Sequence, residues 1–240
     1  MWKEIPEKVS QEKITFDVRE LEPLLSGPSL KLPPYEPEMA KLKDGSYLYI
    51  RPLEKDEVPK LLPFIKKLLD VDHDFYDIVG VRVYGELLGW YRNRLKDPYF
   101  MIGTINGKLA GFANARVMNN GIHISLHSMA FVRGLRVGAI MYYAKAKYAF
   151  EKLGAKEWWA TYESYNGFKR WGLGMAQPSY PWPDVQHELG GAKVYYVTRE
   201  YWDLSIKDYL QQLVKTELEP ASAEVAEANK ELIIPDSPVV

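Results

Sequence analysis

The sequence predicts an α/β fold, a mixed (α+β) sheet carrying helices on both faces. Three observations predict it: a tight-turn signature between two apolar runs, a third run that completes an antiparallel meander, and a long helix that crosses over to a further strand. The chain has 240 residues, 47% of them hydrophobic and 13% aromatic, enough for one sizeable core.

Taken in order, residues 1–46 form a weakly patterned extension whose prolines between Lys31 and Glu38 exclude regular helix or strand there. Tyr47–Leu53 alternates like a strand. Val58, Leu61, Leu62, Ile65, Leu68 and Leu69 share one helical face, with Pro59 suited to a first turn and Pro63 marking a kink or a restart. A second helix spans about Asp77 to Leu95, with Tyr84, Leu88, Tyr91 and Leu95 at helical spacing. The aromatic set Phe75, Tyr76, Tyr84, Trp90 and Tyr91 reads as core rather than as a cage for substrate.

The clearest segment follows. Tyr99–Ile105 and Leu109–Val117 flank Asn106-Gly107, whose residues tolerate the positive φ angles of a type I′ hairpin. Asn119-Asn120-Gly121 then turns the chain into Ile122–Ser128. A helix from about Arg136 to Leu153 is closed by Gly154 at its C′ position. Lys156–Glu163 reads as a strand, Asn166–Leu173 as a short helix and Ala192–Thr198 as the closing strand. The order is β, α, α, β, β, β, α, β, α, β.

The main domain is read as 47–202 and a helical appendage with tail as 203–240. Ser205 with Asp208 resembles a capping box opening a helix that bears Ile206, Tyr209, Leu210, Leu213 and Val214, and Pro220 stops it. That apolar stripe either docks on its own domain or pairs in a homodimer.

Composition removes several function classes. The 31 basic and 32 acidic residues nearly cancel, so no domain-wide field favours nucleic acid. No apolar run approaches the ~20 residues of a membrane-spanning helix, and the N-terminus lacks the apolar region of a secretory signal. Cysteine is absent, which excludes disulfides, thiolate zinc sites and a cysteine nucleophile, and fits a reducing cytoplasm. There is no Gly-x-Ser-x-Gly elbow and no Walker A loop. Asp70, Asp72 and Asp74 lack the glycine and glutamate of a calcium loop and read as a solvated turn.

Two places carry chemistry. Arg133-Gly134-Leu135-Arg136-Val137-Gly138-Ala139 joins the third meander strand to the long helix. A glycine-bearing turn at a helix start gathers backbone N–H groups at a positive dipole end, which suits a pyrophosphate, and two arginines add charged donors. The bland alternative is a helix start with two solvated arginines. In the third meander strand, His123, Ser125 and His127 alternate with Ile122, Ile124 and Leu126, so two of the four histidines share a face with a serine. A polar face on a central strand points to a wet cleft; the bland alternative is a pair of hydrogen-bonded histidines near a strand end. A metal reading, with His123 and His127 as ligands, needs a third such as His187 or Glu163, and no spacing selects one.

The ordered set of elements and motifs resembles the GNAT (GCN5-related N-acetyltransferase) family over residues 47–199. Its acyl-CoA motif, Arg/Gln-x-x-Gly-x-Gly/Ala, is matched by Arg133 and Gly138, with Arg136 in place of the middle glycine. Lys152-Leu153-Gly154-Ala155-Lys156, Asn166 and Leu173-Gly174-Met175 match further family positions.

The resemblance implies a GNAT-like domain that uses acetyl-CoA or another acyl-CoA as co-substrate, needs no metal, and acylates a primary amine on a small molecule or peptide. It implies CoA binding by the Arg133–Ala139 turn and Asn166. Backbone groups of Leu126, His127 and Ser128, exposed by a bulge, would meet the pantetheine arm. Asp70 to Asp77 would border the acceptor pocket and attract a cationic amine. Trp171 stands where the family often has a tyrosine that protonates the departing thiolate.

A base poised near neutral pH favours histidine, ordinarily ~6.5, over glutamate at ~4.3. His123 is therefore the expected base, His127 its partner at the thioester end, and Glu163 the reserve. The alternative is a GNAT-fold acyl-CoA-binding or regulatory module without turnover.

Overall fold

The computed structural model describes residues 30–186 and 193–238. Most of the N-terminal extension, His187 and Ala192 lie outside the described residues. The sheet has the strands β1 (Glu38–Lys41), β2 (Tyr47–Pro52), β3 (Pro98–Ile105), β4 (Lys108–Val117), β5 (Ile122–Ala130), β6 (Glu157–Ala160), β7 (Tyr195–Thr198) and β8 (Glu219–Pro220). Their order across the sheet is β7-β6-β5-β4-β3-β2-β1-β8. Among the described strands only β5 and β6 pair in parallel; the other strand pairs run antiparallel, so the sheet is mixed as expected.

The β3–β4 hairpin closes as the sequence predicts. Ile105 pairs with Lys108, and the two turn residues take φ of +50° (Asn106) and +80° (Gly107), as a type I′ turn requires. The β4–β5 turn uses Asn120 and Gly121 in the same left-handed region.

Helices α1 (Val58–Lys66) and α2 (Tyr76–Tyr91) cover one face, over a core that includes Phe100, Ile102, Phe112 and Met129. Pro63 lies inside α1 without ending it. The other face is covered by α3 (Val137–Lys147), which continues as a wider turn over Tyr148–Lys152 before Gly154 (φ +68°) ends it. The short α4 starts at Tyr165–Gly167 and widens over Phe168–Leu173. Of the aromatic set read as core, Phe75 is half exposed and Tyr76 turns towards a cavity described below.

Three expectations need correction. The extension is not wholly irregular, because Glu38–Lys41 pairs along β2. The C-terminal helix, α5, opens at Arg199–Tyr201, widens over Trp202–Ile206 and ends as Lys207–Val214. Its cap is Thr198, whose hydroxyl accepts from Tyr201 N at 3.1 Å, so Ser205 and Asp208 sit inside the helix and form no capping box. It also stops at Val214, ahead of Pro220, where Lys215 turns left-handed. The stripe docks on its own domain: Ile206, Leu210 and Val214 join Trp202 in the core beneath α3, and Leu213 faces a cavity. The final segment is fastened too. Asn229 is buried and its Oδ1 accepts from Thr104 Oγ1 and Gly107 N, both at 2.8 Å.

Candidate functional site

The pairing of β5 with its neighbours decides where the site lies. β5 pairs with β6 only from Ile122–Glu157 to Ser125–Ala160. Beyond that the two strands part, so β6 ends three residues earlier than its sequence pattern suggests, and Thr161, Tyr162 and Glu163 instead line a cavity. On the other side the ladder slips: Ala113 pairs with Ser128 and Ala115 with Ser125, leaving Asn114 opposite both Leu126 and His127. This is a β-bulge with its extra residue on β5.

The bulge changes which way the histidines point. Residues directly opposite in a ladder share a face. Val117, Ala115 and Ala113 alternate along β4, so their partners His123, Ser125 and Ser128 all lie on the α3 face. The extra residue turns His127 to the opposite face, where its Nε2 lies 3.2 Å from Glu86 Oε1 of α2. Strict alternation predicted one shared histidine face, and the one-residue slip abolishes it. His123 is 2% exposed, pairs in register with Trp158, has an unpartnered Nδ1, and lines none of the cavities at the site. Burial pushes its pKa down to about 4.

His127, by contrast, is held from three directions. Its backbone N donates to Asn114 Oδ1 at 3.1 Å, its carbonyl accepts from Lys145 Nζ at 2.7 Å, and its ring meets Glu86. Glu86 also accepts from Asn114 Nδ2. Lys145 comes from α3, is 0% exposed, and donates to the Asn114 carbonyl at 3.0 Å as well. Both carbonyls sit at the bulge, so the lysine supplies partners that buried backbone groups require. Burial pulls its pKa well below the usual lysine range, with Glu86 opposing that shift.

Two adjoining cavities run from this point. The inner one, of about 140 Å³, is lined by residues that include Ser125, Leu126, His127, Ser128, Tyr142, Lys145, Thr161, Tyr162 and Glu163. The outer one, of about 480 Å³, takes in Arg133, Gly134, Arg136, Val137, Gly138, Ala139, Asn166 and Arg170. Asp74, Tyr76, Ser128, Ser164, Gly167 and Trp171 border both, so the two make one trough. The residues expected to hold a cofactor therefore converge, and of the three expected catalytic groups His127 and Glu163 are present and His123 is not. Asn166 reaches across the mouth to Asp74 at 3.4 Å, and Glu163 is ion-paired with Arg82 of α2.

The outer end keeps a glycine-like backbone without the glycine. Arg136 holds φ +61° at the N-cap of α3, and Gly134 holds φ +79°. Both residues thus hold the left-handed conformation that glycine adopts most easily. Trp171 stacks on Tyr142 with ring centroids 4.2 Å apart. Burial raises the Tyr142 phenol to about 12.

The sequence reading did not single out Glu86, Asn114, Tyr142, Lys145 or Tyr162. Two signals were available: Asn114 interrupts the apolar run of β4, and Lys145 interrupts that of α3. Among the described residues no group of three or more His, Asp or Glu is placed to hold a metal. Nor, among them, is any helix long and apolar enough to cross a membrane.

No protein-family model matches the sequence, and no curated protein sequence matches it. Solved structures match its fold. RimJ of Mycobacterium smegmatis, solved with CoA-disulfide, superposes with a TM-score of 0.51 at 10% identity, over 77% of this chain and 97% of that one. FdhC, a nucleotide-linked sugar GNAT solved in its apo form, gives 0.52 at 11% identity over 76% and 98%. An uncharacterised protein of Bacillus halodurans gives 0.52 at 12% over 75% and 99%. The chain has the GNAT fold, as the order of its elements and motifs implied.

Proposed function

We propose that the chain is an acyl-CoA-dependent N-acyltransferase that moves an acyl group, acetyl in the first instance, to a primary amine. One observation carries this reading: the trough that runs from the start of α3 into the gap where β5 and β6 part. Its residues fit such a co-substrate. The outer end offers first-turn amides of α3 and the side chains of Arg133, Arg136 and Arg170, suited to a pyrophosphate. Deeper in, the hydroxyls of Ser128, on β5, and Thr161, just past the end of β6, are buried without a partner and suit the amides of a pantetheine arm. The likeness to a protein solved with CoA-disulfide supports the same ligand class.

The bound co-substrate would supply a thioester carbonyl open to attack. The amine nitrogen forms the C–N bond, the C–S bond breaks, and the electron pair leaves on sulfur. The protein removes the amine's surplus proton and orients the reactants. His127 replaces His123 as the proposed base, because it lines the inner cavity while Glu86 and Asn114 fix its ring and backbone. Glu163, at the same cavity but paired with Arg82, is the reserve. Asp74 and Tyr76 border the inner cavity from the α2 side and would face a cationic acceptor. A protein of this kind would work in the cytoplasm without nucleic acid or membrane as partner.

Calorimetry with CoA and acetyl-CoA, paired with thiol release from acetyl-CoA across a panel of amines, tests the proposal. Binding and amine-dependent thiol release are expected, and Gly138→Asp should weaken binding at least tenfold by placing an anion at the phosphate turn. No CoA binding sinks the reading. Binding without thiol release would favour the non-catalytic module, which Trp171 at the tyrosine position would suit.

A further inference from the structure

We propose that Lys145 is the group that receives the departing sulfur, its buried ammonium at the β5 bulge stabilising the thiolate of the CoA product. The inference rests on the acyl-CoA reading above and names a role that reading leaves open.

Among the described residues, Lys145 is the only lysine or arginine lining the inner cavity. Its position is over-determined. Two of its three ammonium protons are used, by the carbonyls of His127 at 2.7 Å and Asn114 at 3.0 Å. The ring faces of Tyr142 and Trp158 lie 5.6 and 5.8 Å from Nζ and also favour a cation there. The third proton is left for the cavity. A donor fixed in a water-poor site is worth far more to a developing anion than one in solvent, since nothing has to reorganise.

The other candidates are weaker. Trp171 has no hydroxyl, and its ring is stacked flat on Tyr142. Tyr142 accepts from Trp158 Nε1 at 3.2 Å, and burial makes its phenol a poor acid, raised to about 12. Tyr162 gives its hydroxyl proton to Gln177 Oε1 at 2.6 Å. The charged and titratable groups packed on Lys145 are Glu86 of α2, His127 of β5 and Tyr142 of its own helix, with Tyr162, Tyr76, Asp74 and the Arg82-paired Glu163 elsewhere on the same cavity. Burial alone favours a neutral amine at this point. An anionic sulfur beside it reverses that preference, so ammonium and thiolate stabilise one another as a coupled pair. In the forward reaction His127 takes the amine's surplus proton before attack, and the C–N bond forms as the C–S bond breaks with its electron pair staying on sulfur. The second proton, shed by the nitrogen as the amide forms, goes to Lys145, whose ammonium then balances the sulfur.

The test follows the ionisation of bound CoA through the ultraviolet difference absorbance of its thiolate against pH, using the full chain, with calorimetry confirming occupancy. With the native protein the thiol of bound CoA should ionise at least about one pH unit below that of free CoA. Lys145→Met should abolish the shift while CoA still binds through the outer end; Lys145→Arg should keep it, and His127→Ala should leave it in place. Should Lys145→Met fail to fold, the native and Lys145→Arg titrations decide. Bound CoA whose thiol ionises at or above the free value overturns the proposal, as does a shift unchanged in Lys145→Met. Absence of CoA binding in the native protein overturns the acyl-CoA reading itself, and this one with it.

Discussion

At the outer end of the trough the polar groups are helix-start amides and arginines close to solvent; at the inner end they are buried side chains fastened to one another. Arg133 and Arg136 are exposed, and the turn they flank owes its shape to backbone dihedrals. His127 and Lys145 are buried, and each is held by groups from other elements: Glu86 of α2, Asn114 of β4 and the bulge of β5. A site built on backbone can lose a motif residue and keep its geometry. One built on interlocked side chains cannot lose a member so easily, because each deletion leaves a buried polar partner unmet. The outer end should therefore govern affinity, and the inner end turnover.

The largest effect expected is at the inner end. His127→Ala should lower amine-dependent thiol release by at least ~100-fold, the range for loss of a general base, and leave CoA affinity unchanged in calorimetry. Glu86→Gln, which keeps the ring's neighbour but removes its charge, should cost less, about tenfold. An equal fall in affinity for His127→Ala would break the division between the two ends.

That division also explains how much was legible in the sequence. The sheet order was readable because its determinants are local: Asn106-Gly107 for the hairpin, Asn120-Gly121 for the next turn, Gly154 for the end of α3. The Arg133–Ala139 turn, proposed to take the pyrophosphate, was readable for the same reason, as a short run of consecutive residues. The inner site was readable only in part: His127 and Glu163 were named as candidates, but not the groups that hold them. The resemblance implied a bulge near Leu126 to Ser128, but nothing in the alternation of Ile122 to Leu126 says which side chains it reverses, since an extra residue is visible only against the partner strand that skips it. Glu86, Asn114, His127 and Lys145 lie up to 59 positions apart and meet only through tertiary contacts. Two buried polar residues in apolar runs, Asn114 and Lys145, were the available trace. The Ser205–Asp208 pair misled in the opposite way. It has the form of a cap, but Thr198 had already started the helix about two turns earlier.

His123 gives a smaller, pH-dependent effect on stability. Its native pKa, pushed down to about 4 by burial, lies below the ordinary ~6.5 of an unfolded histidine. Between those values the unfolded chain binds a proton that the native state refuses. Stability from this residue is therefore intact above about pH 6.5 and is lost as pH falls towards about 4, by on the order of 1–2 kcal/mol. His123→Leu should remove this component, visible as a flatter dependence of the denaturation midpoint on pH across that window. Turnover at neutral pH should persist in the variant, because His123 lines neither cavity. A complete loss of turnover in folded His123→Leu would restore it as the base and undo the reading of the bulge.

The smallest effect, at Arg136, probes the outer end most directly. A non-glycine residue at φ +61° carries a steric cost of roughly 1–2 kcal/mol. Arg136→Gly removes that cost, but glycine loses more conformational entropy on folding, which offsets about 0.5–1 kcal/mol of the gain. The net should be a rise in melting temperature of only about 1–4 °C for a chain of this size. The arginine side chain is exposed, so its contact with a phosphate is screened, and deleting it should weaken CoA binding by no more than about fivefold. Lys41 and Lys43 line a cavity that Arg136 also borders, and their charge further limits the loss. A variant that is more stable and binds slightly less tightly would mean that the backbone of this turn does most of the work at the phosphate. A fall in affinity of a hundredfold would make Arg136 a principal ligand, and the outer end would then depend on a single side chain as the inner end does.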